Sequence, residues 1–295
     1  MSISHFSKAL VVGTVRNAQK NVIPDIQRIM SALADIYPTL GFVVESDSSD
    51  ETIENLSKHA ETEERFSFIS LGKIEPEIPD RIDRLRYCRN EYVKVIRSDA
   101  RYRDCDLIVV ADLDGINTKI KASSFITALK TEISWDVLTA NQAAPYYDIL
   151  ALRHPMWSPN SWLLEYNWLK PIIGESKALR HALSDRMIKI PTSTPPIEVD
   201  SAFGGLGLYK RWIFEEFDYS KDIQESNFEI DHVTLHRKAK NSGARIFIHP
   251  ELVNASWTSH SRNGARDVLL LRRIFKKLNY FGLRSVKKRF FSNYL

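Results

Sequence analysis

The sequence predicts an α/β protein built on a doubly wound, mostly parallel sheet. Three observations carry that expectation. Short apolar runs rich in β-branched residues recur four times before residue 115, and segments with helical spacing of apolar residues separate them. The fourth run, DLIVVADLDG at 106–115, stops abruptly in two carboxylates two positions apart. With 295 residues, 43% of them apolar and 11% aromatic, the chain can build one large α/β domain with an appendage.

Ala9 to Val15, ALVVGTV, reads as a buried strand that exits at Arg16 and Asn17. Ile26, Ile29, Leu33 and Ile36 then recur at helical spacing, with Pro24 in the first turn and Pro38 as the stop. A second strand, Gly41 to Val44, leaves through the polar stretch Glu45 to Asp50, at the same end of the sheet as Arg16. A helix over about Glu51 to His59 and a strand over Phe66 to Leu71 complete the next unit. Prolines and alternating charges between Lys73 and Asp83 suggest a surface loop. The following helix carries Arg86, Arg89 and Asn90, backed by Tyr92, Val93 and Ile96, and leads into the fourth strand. No GxGxxG follows the first strand, which argues against a nicotinamide-binding domain.

The fourth strand, Leu107 to Ala111, is apolar throughout, as a strand buried on both faces requires. Alternation along an extended chain turns Asp112 and Asp114 to one side and Leu113 to the other. The carboxyl end of a central strand is where open α/β sheets bind ligands. Two carboxylates there repel each other unless a proton or cation intervenes, so a divalent metal with oxygen ligands is their complement. The alternative is a turn in which both acids cap the next helix.

After Gly115 the pattern changes. A helix near Ser123 to Lys130 precedes two extended runs, Trp135 to Ala140 and Tyr147 to Arg153, whose short separation suggests antiparallel pairing. The aromatics Trp135, Tyr146, Tyr147, Trp157, Trp162, Tyr166 and Trp168 crowd this region and suit either a core or the stacking of sugar rings. The segment VDSAFGGLGLY sets Asp200 before Gly204 and Gly205, and a helix is expected around Tyr209 to Phe217. Glu229, Asp231 and His232 open a further helix, Arg245 to Ile248 forms a last strand, and His249 and His260 lie beyond it. His232 and His236, four apart, suit a metal pair on one helical face or a core role.

The net charge of +4 is uneven: residues 266–295 hold nine Lys or Arg against one Asp, which leaves the body mildly acidic. Within that tail Leu270, Leu271, Ile274, Phe275 and Leu278 form an apolar stripe between basic pairs, repeated by Val286, Phe290 and Phe291. Such basic amphipathic helices lie on anionic lipid, with about 1 kcal/mol per basic residue near the surface. Packing against the body is the alternative, and nucleic-acid affinity ranks behind both. Cys88 and Cys105 are too few for a disulfide framework and lack metal-ligand spacing. With no signal-peptide core and no run long enough to span a bilayer, the expected place is the cytoplasm, peripheral to the inner face of the membrane.

Taken in order, these features form a set. A first strand ends in Arg-Asn, a second ends in SDSSDET, a helix bears Arg89-Asn90, and a strand ends in Asp112-Leu113-Asp114. A Gly-Gly segment follows, and then an acid opens a helix that runs on to GARI. Over about residues 8 to 260 the chain resembles a nucleotide-sugar glycosyltransferase of the GT-A fold. VESDSSDET, CRNEYV and IHPELVNASW resemble segments of capsule-associated mannosyltransferases, and the chain also resembles family 2-like transferases.

The resemblance implies a hexosyltransferase acting on a glycan or lipid-linked glycan in surface polysaccharide synthesis. It implies one domain over 1–262, with a nucleotide-binding half at 8–120 and an acceptor half at 121–262, and an appendage of basic amphipathic helices at 263–295. It places Arg16, Glu45, Asp47, Arg86, Arg89, Asp112, Gly204 and Gly205 around the donor, with the two glycines leaving room for the sugar. It gives Mn²⁺ or Mg²⁺ to Asp112 and Asp114, with His260 as third ligand. Asp231 matches the second acid of the family's Glu-Asp pair, but Ile230 stands where the Glu is expected, so Glu229 and Asp200 are substitutes as catalytic base; a retaining enzyme needs none. Two other classes compete. One is a catalytically idle GT-A-like module that binds sugar or a partner protein. The other is a haloacid-dehalogenase-type phosphatase with Asp112 as nucleophile, whose motif strand comes first in its domain rather than fourth.

Overall fold

A computed structural model of the chain describes residues 6–221 and 229–257. His260, the 262/263 boundary and the basic tail lie outside the described residues. The elements run β1 (Ala9–Val15), α1 (Val22–Ala34), β2 (Thr39–Glu45), α2 (Thr52–Thr62), β3 (Phe66–Ser70), α3 (Arg81–Ser98), β4 (Leu107–Ala111), α4 (Ala122–Leu129) and β5 (Val137–Gln142). They continue with α5 (Trp162–Ile173), α6 (Glu175–Ala182), β6 (Ile197–Val199), β7 (Leu206–Lys210), α7 (Trp212–Glu216), α8 (Asp231–Asn241) and β8 (Ile246–Ala255).

All eight strands join one sheet in the order β3-β2-β1-β4-β7-β5-β8-β6. β3, β2, β1 and β4 are parallel, β7 runs antiparallel between β4 and β5, β8 is parallel to β5, and β6 closes the edge antiparallel to β8. This is the doubly wound sheet with antiparallel additions that the GT-A resemblance implied. The chain winds outward from β1 to β3 and then crosses back through α3 to β4 on the other side of β1. The switch in direction therefore falls between β1 and β4, directly beneath Asp112.

Period-two alternation sorts the strand residues onto two faces. Leu10, Val12, Phe42, Val44, Ile108 and Val110 pack with Tyr92, Val93 and Ile96 of α3. Ala9, Val11, Val43, Leu107, Val109 and Ala111 pack with Ile26, Ile29 and Leu33 of α1. Both faces of β4 are thus covered, which is why its five residues are all apolar and all buried. Asp80 caps α3, its carboxylate accepting from the Ile82 and Asp83 amides at 2.9 and 3.0 Å. That cap fixes where Arg86 and Arg89 emerge.

Several expected elements differ. Tyr147 to Arg153 is not a strand partner of β5, because β7 and β8 already occupy both of its edges. The segment instead turns through Ile149 to Ala151, with Asp148 Oδ1 accepting from the Ala151 amide at 3.2 Å. The helix expected from Tyr209 begins only at Trp212, since Tyr209 belongs to β7 and pairs with Ile108 and Val137. The last strand runs on to Ala255, carrying His249 and Pro250, with its register against β5 shifted around Asn141. The helices α5 and α6 were not anticipated: the aromatic crowd at Trp162, Tyr166 and Trp168 is one face and the opposite face of a helix. No helix among the described residues is long and apolar enough to cross a membrane.

Candidate functional site

The end of β4 is pinned from several sides. The Asp112 amide donates to the Gly205 carbonyl at 3.0 Å, and Asn117 Nδ2 donates to the Asp112 carbonyl at 2.6 Å. Further on, Asn21 Nδ2 donates to the Asp114 carbonyl at 2.7 Å, and the Gly115 amide donates to Asp25 Oδ2 at 2.7 Å. Gly115 itself turns at φ +96°, a region that favours glycine. Leu113 is buried, whereas the Asp112 side chain keeps 37% of its surface and Asp114 is exposed. The alternation read from the sequence is therefore preserved through the turn, and both carboxylates reach solvent.

Asp112 sits in a charged neighbourhood. Desolvation in the cleft pushes its carboxyl up to about 7, opposed by Arg89 and reinforced by Asp114, Asp148 and Asp231. Arg89 approaches it from α3, Nη2 to Oδ1 at 3.7 Å, while Arg89 Nε lies 2.8 Å from Asp231 Oδ2 at the first residue of α8. One buried guanidinium thus joins the aspartate after β4 to the aspartate that opens α8. Its position is fixed by the rings of Phe203 and Tyr219, each 5.5 Å away, and by a contact to His232 Nε2. His232 stacks on Phe203 at 3.8 Å, and burial followed by Arg89 holds its pKa well below the ordinary value, so it is a neutral acceptor for Arg89.

The second strand delivers Glu45 and Asp47. Glu45 is fully buried and turned back on the protein: Oε1 accepts from the Ser48 amide at 2.9 Å and Oε2 from the Ser70 hydroxyl. Asp47 adopts φ +57°, its Oδ1 accepts from the Glu75 amide at 2.8 Å, and its Oδ2 is buried with no hydrogen-bond partner among the described residues. That oxygen keeps an unused capacity to accept a hydrogen bond. Arg16 pairs with Glu75 at 2.9 Å near this turn. Arg86, by contrast, is buried and donates to the carbonyls of Tyr219 and Glu229 at 3.3 and 2.9 Å, so it fastens α3 to the segment before α8.

Gly204 and Gly205 are close-packing glycines. Both have positive φ, and a Cβ on Gly204 would lie 2.7 Å from the Ala140 carbonyl oxygen, one on Gly205 3.0 Å from the Tyr147 hydroxyl. Protein atoms fill the space that the resemblance reserved for a sugar. The absence of side chains lets the Gly205 carbonyl reach Asp112 and the Gly204 amide reach Asp148 Oδ2 at 2.9 Å.

Of the acids considered as base, Asp231 is buried beside Arg89, and its Oδ2 makes an ion pair off the hydrogen-bond direction. Glu229 is clamped between Arg153, 3.5 Å away, and Arg237. The Asp200 side chain is 58% exposed and faces Lys240, at the opposite end of α8 from Asp231. His236 is a core residue, bonded to Ser201 Oγ and Tyr209 Oη at 2.9 and 3.0 Å, and His249 is buried in β8.

Four site residues escaped the sequence reading. Asp25 and Asn21 hold the DLDG turn from α1, and Asp148 holds Gly204. Arg81, at the start of α3, is exposed yet within electrostatic reach of Asp112 and Asp231. Only Arg81 carried a signal, its place eight residues, just over two turns, before Arg89 on the same helix.

Two open carboxylates on one short turn suit a hard cation that takes oxygen ligands and leaves other positions to water or phosphate. Among the described residues no group of three or more His, Cys, Asp or Glu is placed to hold a metal, and His260 lies outside them.

No protein-family model and no curated protein matches the sequence. Among solved structures the chain is similar to the mannosyltransferase PcManGT from Pyrobaculum calidifontis, in complex with GDP-Man and Mn²⁺. That match has 15% identity and a TM-score of 0.49, covering 85% of this chain and 57% of that one. It is also similar to S. aureus TarS 1-349, at 13% identity and a TM-score of 0.45, covering 85% and 60%. A third match is glucosyl-3-phosphoglycerate synthase from Mycobacterium tuberculosis in complex with UDP, at 13% identity and a TM-score of 0.42, covering 85% and 69%. The chain thus spans less than two thirds of the length of the first two.

Proposed function

We propose that the chain is a metal-dependent glycosyltransferase that moves a hexose from a nucleotide-sugar donor to a glycan or lipid-linked glycan in surface polysaccharide synthesis. The observation that carries this reading is the Asp112–Asp114 turn at the switch point of the sheet. There a carboxyl pushed up to about 7 faces solvent beside a buried arginine. Such a site lacks positive charge at its centre and offers a fixed cation at its wall, which is the demand of a cation-bound diphosphate.

Asp112 and Asp114 would hold Mn²⁺ or Mg²⁺, which neutralises charge gathering on the departing nucleoside diphosphate as the sugar takes on oxocarbenium character. Arg89 orients Asp112 and screens it from Asp231. Arg81, exposed at the mouth, offers a planar donor fork to phosphate oxygens. The orphan Oδ2 of Asp47 accepts from a ribose hydroxyl or base N–H. Asp231 takes the acceptor proton if the reaction inverts, because it alone of the three acids shares a partner with Asp112.

One observation favours a second reading, an idle sugar-binding module. Both Asp231 and Glu229 are ion-paired to arginines, an arrangement that equally suits a site built to bind without transferring a proton.

The test is thermal shift of the full chain with GDP-, UDP- and dTDP-sugars, with and without Mn²⁺, followed by product analysis on any sugar that stabilises it. A Mn²⁺-dependent shift that is lost in both Asp112→Asn and Asp114→Asn is the expected result. Binding that survives both substitutions overturns the metal-diphosphate assignment, and binding without turnover on any glycan acceptor selects the idle module.

A further inference from the structure

Among the described residues, large apolar side chains are exposed at ten positions, and seven of these fall between residues 150 and 188. The concentration has a structural origin. The inner face of α5 packs Trp162 and Tyr166 into the core, with Leu163 and Leu169 partly buried beside them. Its outer face carries Leu164, Trp168 and Ile172, spaced by four and therefore aligned. Trp168 is 66% exposed and Ile172 63%, and Met156, before the helix, is 88% exposed. A helix apolar on both sides has a second partner that the described fold does not supply.

Charge selects the partner. The stretch 161–190 contains five Lys or Arg against three Asp or Glu. The three acids are already matched within it: Glu165 by Arg186, Glu175 by Lys170 and Asp185 by Arg180. Lys177 and Lys189 are exposed and form no ion pair among the described residues. A second copy of this face, or the basic tail, would bring like charges together. A tryptophan amid aliphatic residues, in a stretch with surplus exposed lysines, instead matches the boundary of an anionic bilayer, where an indole sits at headgroup level and lysines reach lipid phosphates.

Along the chain the exposed stretch begins close to the candidate site: Leu150, 38% exposed, lies two residues from Asp148, whose Oδ2 accepts from the Gly204 amide. We propose that the outer face of α5, with Met156 and Leu150, docks on an anionic lipid surface and presents the Asp112 cleft to acceptors anchored there. This rests on the glycosyltransferase reading only for the acceptor; the docking itself does not.

The experiment uses the full chain, so that any contribution from the tail is common to every protein compared. Cosedimentation with phosphatidylcholine vesicles containing phosphatidylglycerol is measured for the wild type and for the Leu164→Glu/Trp168→Glu/Ile172→Glu variant. The expected result is a loss of partitioning of at least tenfold, with the melting temperature and the nucleotide-induced thermal shift unchanged. Dibrominated lipid should quench wild-type fluorescence, and Trp168→Phe should remove that quenching. Undiminished partitioning of the triple variant, or equal quenching in Trp168→Phe, overturns the proposal. A wild-type dimer that the triple variant abolishes, with vesicle binding unchanged, assigns the face to self-association and overturns it too. Because the thermal shift is read without vesicles, failure of the donor assignment remains separate from failure of the docking face.

Discussion

Asp25 offers a stability measurement that tests how the DLDG turn is built. Its carboxylate accepts from the Gly115 amide at 2.7 Å and pairs with Arg28 at 3.1 Å, yet desolvation pushes its pKa from 3.8 up to about 6. A carboxyl whose pKa is raised on folding keeps a proton in the folded protein that the unfolded chain has released. Its contribution to stability therefore falls as the pH rises from about 4 to 6 and stays low above that. With each unit worth 1.36 kcal/mol, the deficit at pH 7 is about 3 kcal/mol. Asp25→Asn retains an oxygen for the Gly115 amide and removes the charge. Urea unfolding of both proteins at intervals from pH 4 to 7.5 gives a difference curve in which the buried histidines cancel. The asparagine variant should gain about 3 kcal/mol on the wild type across that range, while Asp25→Ala, which strands the Gly115 amide, should lie about 1 to 3 kcal/mol below the asparagine variant throughout. A flat difference curve would show that Asp25 is not held in a desolvating site, and the account of the turn would fail.

Other outcomes follow from the same contacts. Arg89→Met strands the buried Asp231 carboxylate and should cost about 3 to 5 kcal/mol in urea unfolding, with much of it restored by adding Asp231→Asn. Gly204→Ala should destabilise more than Gly205→Ala, because its Cβ meets the Ala140 main chain at 2.7 Å whereas the Gly205 Cβ meets side chains; chemical denaturation ranks them, and the reverse order would contradict the packing described. Burial lowers the pKa of His236 to about 3, so the unfolded chain takes up a proton below about pH 6.5 that the folded protein refuses. Stability is accordingly lost as the pH falls from 6.5 toward 3, and His236→Gln should flatten that limb of the pH profile.

The parallel half of the fold was legible because β1, β2 and β4 are buried on both faces and the helices between them carry an apolar stripe, so composition and period agree. Leu107–Ala111 was located to the residue for that reason. Tyr147 to Arg153 misled because its aromatics and aliphatics serve a turn packed over the sheet, where no period is imposed. The candidate site was legible where a motif concentrates acids in sequence, at Asp112 and Asp114. It was opaque where the partner comes from far away: Asp25 lies 90 residues from Gly115, and Asp148 lies 56 from Gly204. Arginine was the hardest residue to read, since Arg86 and Arg89 stand three apart on one helix. One spends its donors on carbonyls and the other bridges two aspartates.

The insertion of β7 between β4 and β5 bears on how the molecule is made. When the ribosome has released the first four strands, β4 still has one bare edge, and the strand that covers it lies nearly a hundred residues downstream. Until β7 arrives, the Asp112 amide also lacks the Gly205 carbonyl. The amino-terminal half can wind its helices but cannot finish the turn that carries its own acids, so the acidic pair takes its final shape among the last events of folding. Closing so long a loop makes assembly slow and exposes an apolar strand edge meanwhile, and this chain should depend on protection during synthesis more than its compact final sheet suggests.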